Sequence, residues 1–315
     1  MASSLSYSEE SMSIEHERWM AQHGFSYENE KVKEARFQIF KDNLEHIERH
    51  NQEGKHTYKL GMNKFADLTN EEFLAKYARS SVPSFKVSSN QSFFEYKVMK
   101  DVSHSLDWRD HNVVTAIKDQ TGCGCCWAFT AVAAIEGIEA IRSGKLTQLS
   151  EQHILDCNYE HDGCKGGTID HAFEFVRKNR GLASDIDYPY TRIQGECSNN
   201  KPSSLSSNII GFSAVPSDNE SALLAAVANQ PIAVYLDANN FQFYKSGVLT
   251  GKCGTNLTHG ATIVGYDEED GVKFWLLKNS WGTGWGDNGF IKLQRNIDVK
   301  EGMCGIAMFP LYPNV

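Results

Sequence analysis

The chain has 315 residues and a formal net charge of −9, with 40 acidic against 31 basic side chains. That length is enough for two compact units with a sizeable core, and the acidic balance argues against a nucleic-acid or anionic-membrane partner, which would require a basic stripe. No apolar run approaches the roughly 18–20 residues of a membrane span, and the first ten residues have neither the basic start nor the apolar middle of a secretory leader. The eight cysteines and the Asn-x-Ser/Thr sequons at Asn90, Asn219 and Asn256 nevertheless point to an oxidising, secretory compartment. A leader is therefore expected to have been removed from the natural precursor.

Two textures divide the chain. Residues 8–77 are charged, helix-like and free of cysteine, whereas every cysteine lies beyond Trp108. Between them, residues 78–92 are rich in serine and punctuated by Pro83, the composition of an extended connector. In the first module Arg36, Phe40, Asn43, Ile47 and Asn51 recur at steps of three or four and share one face of a long helix. A helix–loop–strand is expected over 58–67, and the run from Thr69 through Glu72 to Phe73 has the form of a capped helix start. Periodicity alone fits an ordinary small helical domain equally well.

The second module opens on Cys123-Gly124-Cys125-Cys126-Trp127, followed by an alanine-rich apolar run that suits a buried helix. Cys126 falls at the helix N-terminus, where unpaired N–H groups favour a thiolate, the nucleophilic form of cysteine. The competing expectation is a structural half-cystine or a small buried thiol. A second helix is expected over 150–157 and a turn at Gly166-Gly167. Beyond Pro231, short β-prone runs occupy 232–236, 259–266, 273–279 and 289–293, separated by Gly, Asp and Asn turns. A helical half followed by a β half implies two subdomains with a cleft where they meet.

A thiolate nucleophile needs a base and a group to orient that base. His259 opens a β-prone run about 130 residues beyond Cys126, which makes it the leading candidate for the base. Asn279 can accept a hydrogen bond from its ring, with Trp281 and Trp285 available to exclude water. A zinc site is the competing reading of Cys157 and Cys164 around His161, but a second pair at metal-ligand spacing is missing.

With these residues in place the chain resembles the papain family of cysteine proteases in precursor form. The likeness runs through Asp107-Trp108-Arg109, Gln120 to Phe129, Leu149-Ser150-Glu151-Gln152, Gly163-Cys164-Lys165-Gly166-Gly167, Thr258-His259-Gly260, Asn279-Ser280-Trp281-Gly282, Trp285-Gly286 and Cys304-Gly305. The first module is similar to that family's inhibitory propeptide, with Gly61, Asn63, Phe65 and Asp67 on its second motif; Val32 stands where its helix motif usually has glutamate. The resemblance implies an α+β fold, a helical subdomain and a β-barrel-like subdomain flanking the cleft, with a propeptide over 1–101 (helical module 8–77, connector 78–101) and a protease over 102–315 (helical half 111–212, β-rich half 213–310).

It further implies Cys126 as nucleophile, His259 as base and then acid, Asn279 as orienter, and an oxyanion hole from the Gln120 amide and the Cys126 N–H. Gly166 and Gly167 would pair with extended substrate, Thr168, Ile169, Tyr235, Leu257, Gly260 and Phe309 would line a shallow apolar main pocket, and Thr258 and Trp281 would complete the cleft. Disulfides Cys123–Cys164, Cys157–Cys197 and Cys253–Cys304 follow from the family's pairing, leaving Cys125 and Cys126 free. Protein or peptide substrates, cystatin-type inhibitors, no cofactor or metal, a monomeric state and a vacuolar, lysosome-like or extracellular location are likewise implied, as is acid activation through propeptide carboxylates such as Asp67. The alternative is a catalytically weak papain-like storage or binding protein. Cys125, where the family usually has serine or alanine, is either a tolerated small residue or the partner in an oxidative brake on Cys126.

Overall fold

The computed structural model describes residues 8–82, 102–160, 163–197, 205–207 and 209–315. The connector beyond Val82, the Asn90 sequon and His161 lie outside the described residues. In chain order the elements are α1 (Glu9–His23), α2 (Glu30–Gln52), β1 (Tyr58–Leu60), α3 (Asn70–Tyr77), β2 (Leu106–Asp107), α4 (Cys126–Ser143), α5 (Glu151–Cys157), α6 (Ile169–Asn179), β3 (Gly211–Ala214), α7 (Glu220–Val227), β4 (Ile232–Leu236), β5 (Tyr244–Leu249), β6 (His259–Glu269), β7 (Val272–Lys278), β8 (Phe290–Gln294) and β9 (Leu311–Asn314).

Local chemistry sets the ends of the first helices. Ser8 and Asn29 accept hydrogen bonds from the first-turn N–H groups of Ser11 and Val32, and Gly24 closes α1 in the left-handed region at φ 70°. Met12 and Trp19 on α1 bury against Phe37, Phe40 and Leu44 on α2. The polar members of the predicted α2 face tie down the loop that follows. Asn43 Nδ2 donates to the carbonyls of Ala66 and Leu68 at 2.8 and 2.9 Å, and Asn51 exchanges two bonds with the Leu60 backbone. With Val32 at the motif's glutamate position, Arg36 finds its acid on α3 instead, donating to both oxygens of Glu72 at 2.7 and 3.0 Å. Glu72 also completes the capping box with Thr69, so one carboxylate joins the start of α3 to α2.

The first module docks through a buried aromatic cluster. Phe65 and Phe73 are fully buried, and Phe73 stands edge-on to Trp281 at 5.0 Å. Burial of a Phe side chain stabilises by about 1.5–3 kcal/mol, so these two rings contribute substantially to docking. Side-chain amides clasp alongside them: Asn63 donates to the Gln242 carbonyl, and Gln242 donates back to those of Phe65 and Leu68.

In the second module α4 is buried on nearly every side, as its alanine content requires. A Cβ on Gly137 would lie 2.5 Å from the Pro231 ring, so glycine there lets the helix approach the start of β4. Trp127, Phe129 and Ile135 pack with α5, α6, Tyr235 and Leu311 in one core; Trp275, Trp285, Tyr244 and Ile291 form the other. The sheet order is β1-β5-β8-β7-β6-β4-β9-β3, with β2 paired to β6. It is mostly antiparallel, with β5 and β8 parallel. The resemblance implied a barrel-like subdomain; among the described residues the sheet is open, its end strands β1 and β3 not pairing with each other.

Candidate active site

The site assembles where α4 meets β6. Cys126 is the first residue of α4, fully buried, and as a first-turn residue its N–H has no intrahelical acceptor. His259 is the first residue of β6 and Asn279 directly follows β7; antiparallel pairing of these strands brings the two side chains together. Asn279 Oδ1 accepts from the Ser280 N–H at 2.8 Å and lies 2.8 Å from His259 Nε2. That oxygen can only accept, so Nε2 carries the proton and Nδ1 is left facing the thiol. His259 Nδ1 has no oxygen or nitrogen partner. Trp281 covers the ring with centroids 4.5 Å apart and keeps water from the His–Asn bond. Burial pushes the Cys126 thiol up, but the charge and hydrogen bond of His259, the Ser80 hydroxyl and the Gly260 N–H outweigh it and hold the thiol at about 7.

Gln120 is locked in place in the turn before α4. Its N–H donates to the Ser280 carbonyl at 2.8 Å, its Oε1 accepts from the Ser280 hydroxyl at 2.7 Å, and its carbonyl accepts from the Tyr190 hydroxyl at 2.7 Å. The amide Nε2 donates to the carbonyls of Cys123 at 2.9 Å and Tyr77 at 3.2 Å. Tyr77 belongs to the first module, and the chain continues across the cleft from there. Ser80 N–H donates to the Thr258 carbonyl, Ser81 N–H to that of Gly167, and the Cys126 thiol donates to Ser80 Oγ at 3.5 Å. Gly166 sits at φ 129°, and a Cβ there would lie 2.6 Å from the Arg79 carbonyl. Glycine is thus required where the crossing strand comes closest.

The remaining expected subsite residues divide. Ile169, Tyr235, Leu257 and Phe309 share one cluster with Val82, while Gly167, Thr258 and Gly260 sit along the crossing strand beside Ser80. Thr168 precedes α6 and is nearly buried. Tyr235 is fully buried, its hydroxyl accepting from the Ile169 N–H at 2.7 Å and standing 3.5 Å from Asp170 Oδ1. Its ring is thereby held inside the core that it shares with Ile169 and Leu257. Met308, which packs on the same cluster, and Asp170 escaped the sequence reading. So did a buried charge cluster behind Asn279. Lys118 binds Glu136 and Glu151 at 3.1 and 2.7 Å, Lys278 stands 3.8 Å from Glu136, and burial pushes Glu151 up to about 7. Only the lysines and Ser150-capped helix start hint at it in sequence.

The structure pairs Cys123–Cys164, Cys157–Cys197 and Cys253–Cys304. The first joins the turn before α4 to the segment carrying Gly166; the first two also commit Cys164 and Cys157, which removes both thiolates from any zinc site. Cys125 points away from the cleft, its sulfur 3.3 Å from the Tyr190 hydroxyl, and burial pushes its thiol well up. Asn219 and Asn256 are exposed, Asn219 using its Oδ1 to cap α7.

A thiol facing an imidazole, an amide donor beside it and a covering segment of the same chain together define a cysteine protease in its precursor state. The family model for papain family cysteine proteases matches residues 102–314, and that for the cathepsin propeptide inhibitor domain (I29) matches residues 16–73. The senescence-specific cysteine protease SAG39 of Oryza sativa subsp. indica is 48% identical over 308 residues, covering 96% of this chain and 90% of that protein. Vignain of Vigna mungo is 46% identical over 314 residues, covering 97% and 86%. Among solved structures, a recombinant stem bromelain precursor superposes with a TM-score of 0.88 at 44% identity, covering 96% of this chain and 99% of that one. The chain belongs to the papain family of cysteine proteases and carries its I29 propeptide. No helix of the described residues is long and apolar enough to cross a membrane.

Proposed function

We propose that this chain is the zymogen of a cysteine endopeptidase in which Cys126 attacks the scissile carbonyl, and that residues 1–101 hold it inactive until acid processing releases residues 102–315. The observation that carries this is the Cys126–His259–Asn279 arrangement with its thiol held at about 7. The thiolate adds to the carbonyl carbon, and the oxyanion that forms is met by Gln120 Nε2 and the Cys126 N–H. Collapse expels the amine, which takes its proton from His259, and leaves a thioester on Cys126. His259 then removes a proton from water, whose attack releases the acid and restores the thiol.

Substrate lies extended along Gly166 and Gly167, in the place that Ser80 and Ser81 fill in the zymogen. The Tyr235 ring shortens the main pocket, which favours compact apolar side chains such as Val or Pro over Phe or Arg. Cystatin-type inhibitors block the same cleft, the enzyme acts as a monomer in a vacuolar or extracellular compartment, and Asn219 and Asn256 are available for glycans, the latter crowding the cleft. Acid-treated zymogen, with and without reductant, tests this on a small peptide panel: cleavage dependent on reductant and abolished in Cys126→Ala is expected. Intact binding of the peptides without turnover, and no labelling by a thiol-directed epoxide, would mark a binding or storage protein instead.

A further inference from the structure

The loop ahead of the nucleophile presents a carboxylate that this chemistry leaves unused. Asp119 Oδ1 accepts from the Thr121 N–H at 2.8 Å, which fixes the side chain in the turn that also carries Gln120. Its other oxygen faces outward and meets Lys64 Nζ of the propeptide at 2.5 Å, with the Asp119 side chain 38% exposed. The neighbouring Lys118 does not neutralise it, because that ammonium turns inward to Glu136 and Glu151. A cavity of about 370 Å³ lies between Asp119, Ile117, Trp281, Thr283 and the propeptide's Lys64 and His23. Its floor is tight: a Cβ on Gly282 would stand 3.0 Å from Asp119 Oδ2. Both basic groups on its far side belong to the propeptide.

The position of this cavity gives it meaning. Gly167 and Tyr235 lie beyond Cys126 on the side reached by Ser80 to Val82. Asp119 lies on the opposite side, next to the tryptophan that covers His259. The leaving amine must reach His259 to be protonated, so the residues carboxyl-terminal to the scissile bond emerge over Trp281. We propose that, on release of the propeptide, Asp119 recognises a lysine or arginine on that side of the substrate, taking the substrate's cation where it now takes Lys64. This rests on the peptidase function above and adds a charge preference on the leaving-group side of the cleft.

An exposed ion pair discriminates only modestly and weakens with salt, so the expected preference is about threefold to tenfold. The test uses mature enzyme and internally quenched peptides that share one sequence up to the scissile bond and carry Lys, Gln or Glu at each of the next three positions. The Lys-to-Glu ratio of kcat/KM is taken within each enzyme, so a partly misfolded variant lowers both rates and leaves the ratio intact. A ratio of about threefold to tenfold at one position, shrinking with added salt, lost in Asp119→Asn and reversed in Asp119→Lys, supports the proposal. A ratio near one in the wild type, or a preference unchanged in Asp119→Asn, overturns it and reduces the Lys64–Asp119 pair to a zymogen latch. Cleavage of none of the peptides overturns the peptidase reading itself, a distinct result.

Discussion

The carbonyl of Tyr77 accepts a hydrogen bond from Gln120 Nε2 at 3.2 Å. The last residue of α3 thereby places an oxygen on the amide that would otherwise receive the developing charge of a substrate carbonyl, while Ser80 lies against the sulfur three residues later. On the proposed function, the crossing segment occupies the same two groups that catalysis would use.

Loss of the Gln120 amide is expected to be costly once the propeptide has gone. Removing one oxyanion donor costs about 3 kcal/mol, so Gln120→Ala should lower kcat roughly a hundredfold with a smaller change in KM. Because Gln120 also anchors to Ser280 through Oε1, Gln120→Glu provides the control, keeping that anchor while losing the donor. Steady-state kinetics on a peptide amide decide it; an unchanged kcat in both variants would remove Gln120 from the oxyanion site.

Phe73 offers a separate handle on latency. It is fully buried against Trp281, and truncating such a ring costs about 3–5 kcal/mol. The Phe73→Ala zymogen should therefore expose Cys126 to an active-site epoxide at neutral pH at least a hundredfold faster than wild type. Labelling at the wild-type rate would show that the cluster does not hold the propeptide down.

For the proposed acid activation, His16 offers a trigger to test beside Asp67. Burial lowers the pKa of His16 below 6.5, against the pull of Glu17, Asp67 and Glu34, with Lys33 opposing them. The unfolded propeptide then takes the proton first, so the stabilisation is fully present above 6.5 and is lost as pH falls below it. Asp67 has the opposite sign: burial raises its pKa despite the Tyr27 hydrogen bond and the nearby Arg36. The folded form takes that proton first, so protonation of Asp67 by itself favours the docked propeptide. His16→Phe, whose ring can still stack on Trp19 and Phe40, should shift the pH of processing downward. Processing followed by gel across pH steps measures this; an unmoved midpoint would place the trigger elsewhere.

Tyr235→Val should deepen the main pocket. With the ring removed, peptides carrying Leu or Phe second from the scissile bond should gain about tenfold in kcat/KM relative to those carrying Val. No change in this ratio would mean that Tyr235 does not bound the pocket.

Much of this was legible because chemistry restricts residue types. Cys126, His259 and Asn279 stand in runs whose neighbours leave few alternatives, and Thr69 with Glu72 announces a helix start by itself. Other features depend on distant partners. Strand β5 contains Lys245, Ser246 and Gly247, which carry no β signal of their own, and it is held as a strand by β8 and by the propeptide's β1. All five residues of β4 are buried, so no alternation tells which face Tyr235 takes. The direction of the Asp67 shift follows from burial, which no local pattern encodes.

Release of the propeptide leaves one further trace. Strand β1 hydrogen-bonds to β5, with Val248 N–H donating to the Thr57 carbonyl at 3.1 Å, and its departure turns β5 into a raw margin of unpaired backbone, open to recruitment by any extended chain. Gly247, at φ 82° beside a register shift in this pairing, bends that margin out of line. On the proposed processing, that bend is expected to disfavour edge-to-edge pairing between copies of the mature enzyme along the seam where the propeptide lay.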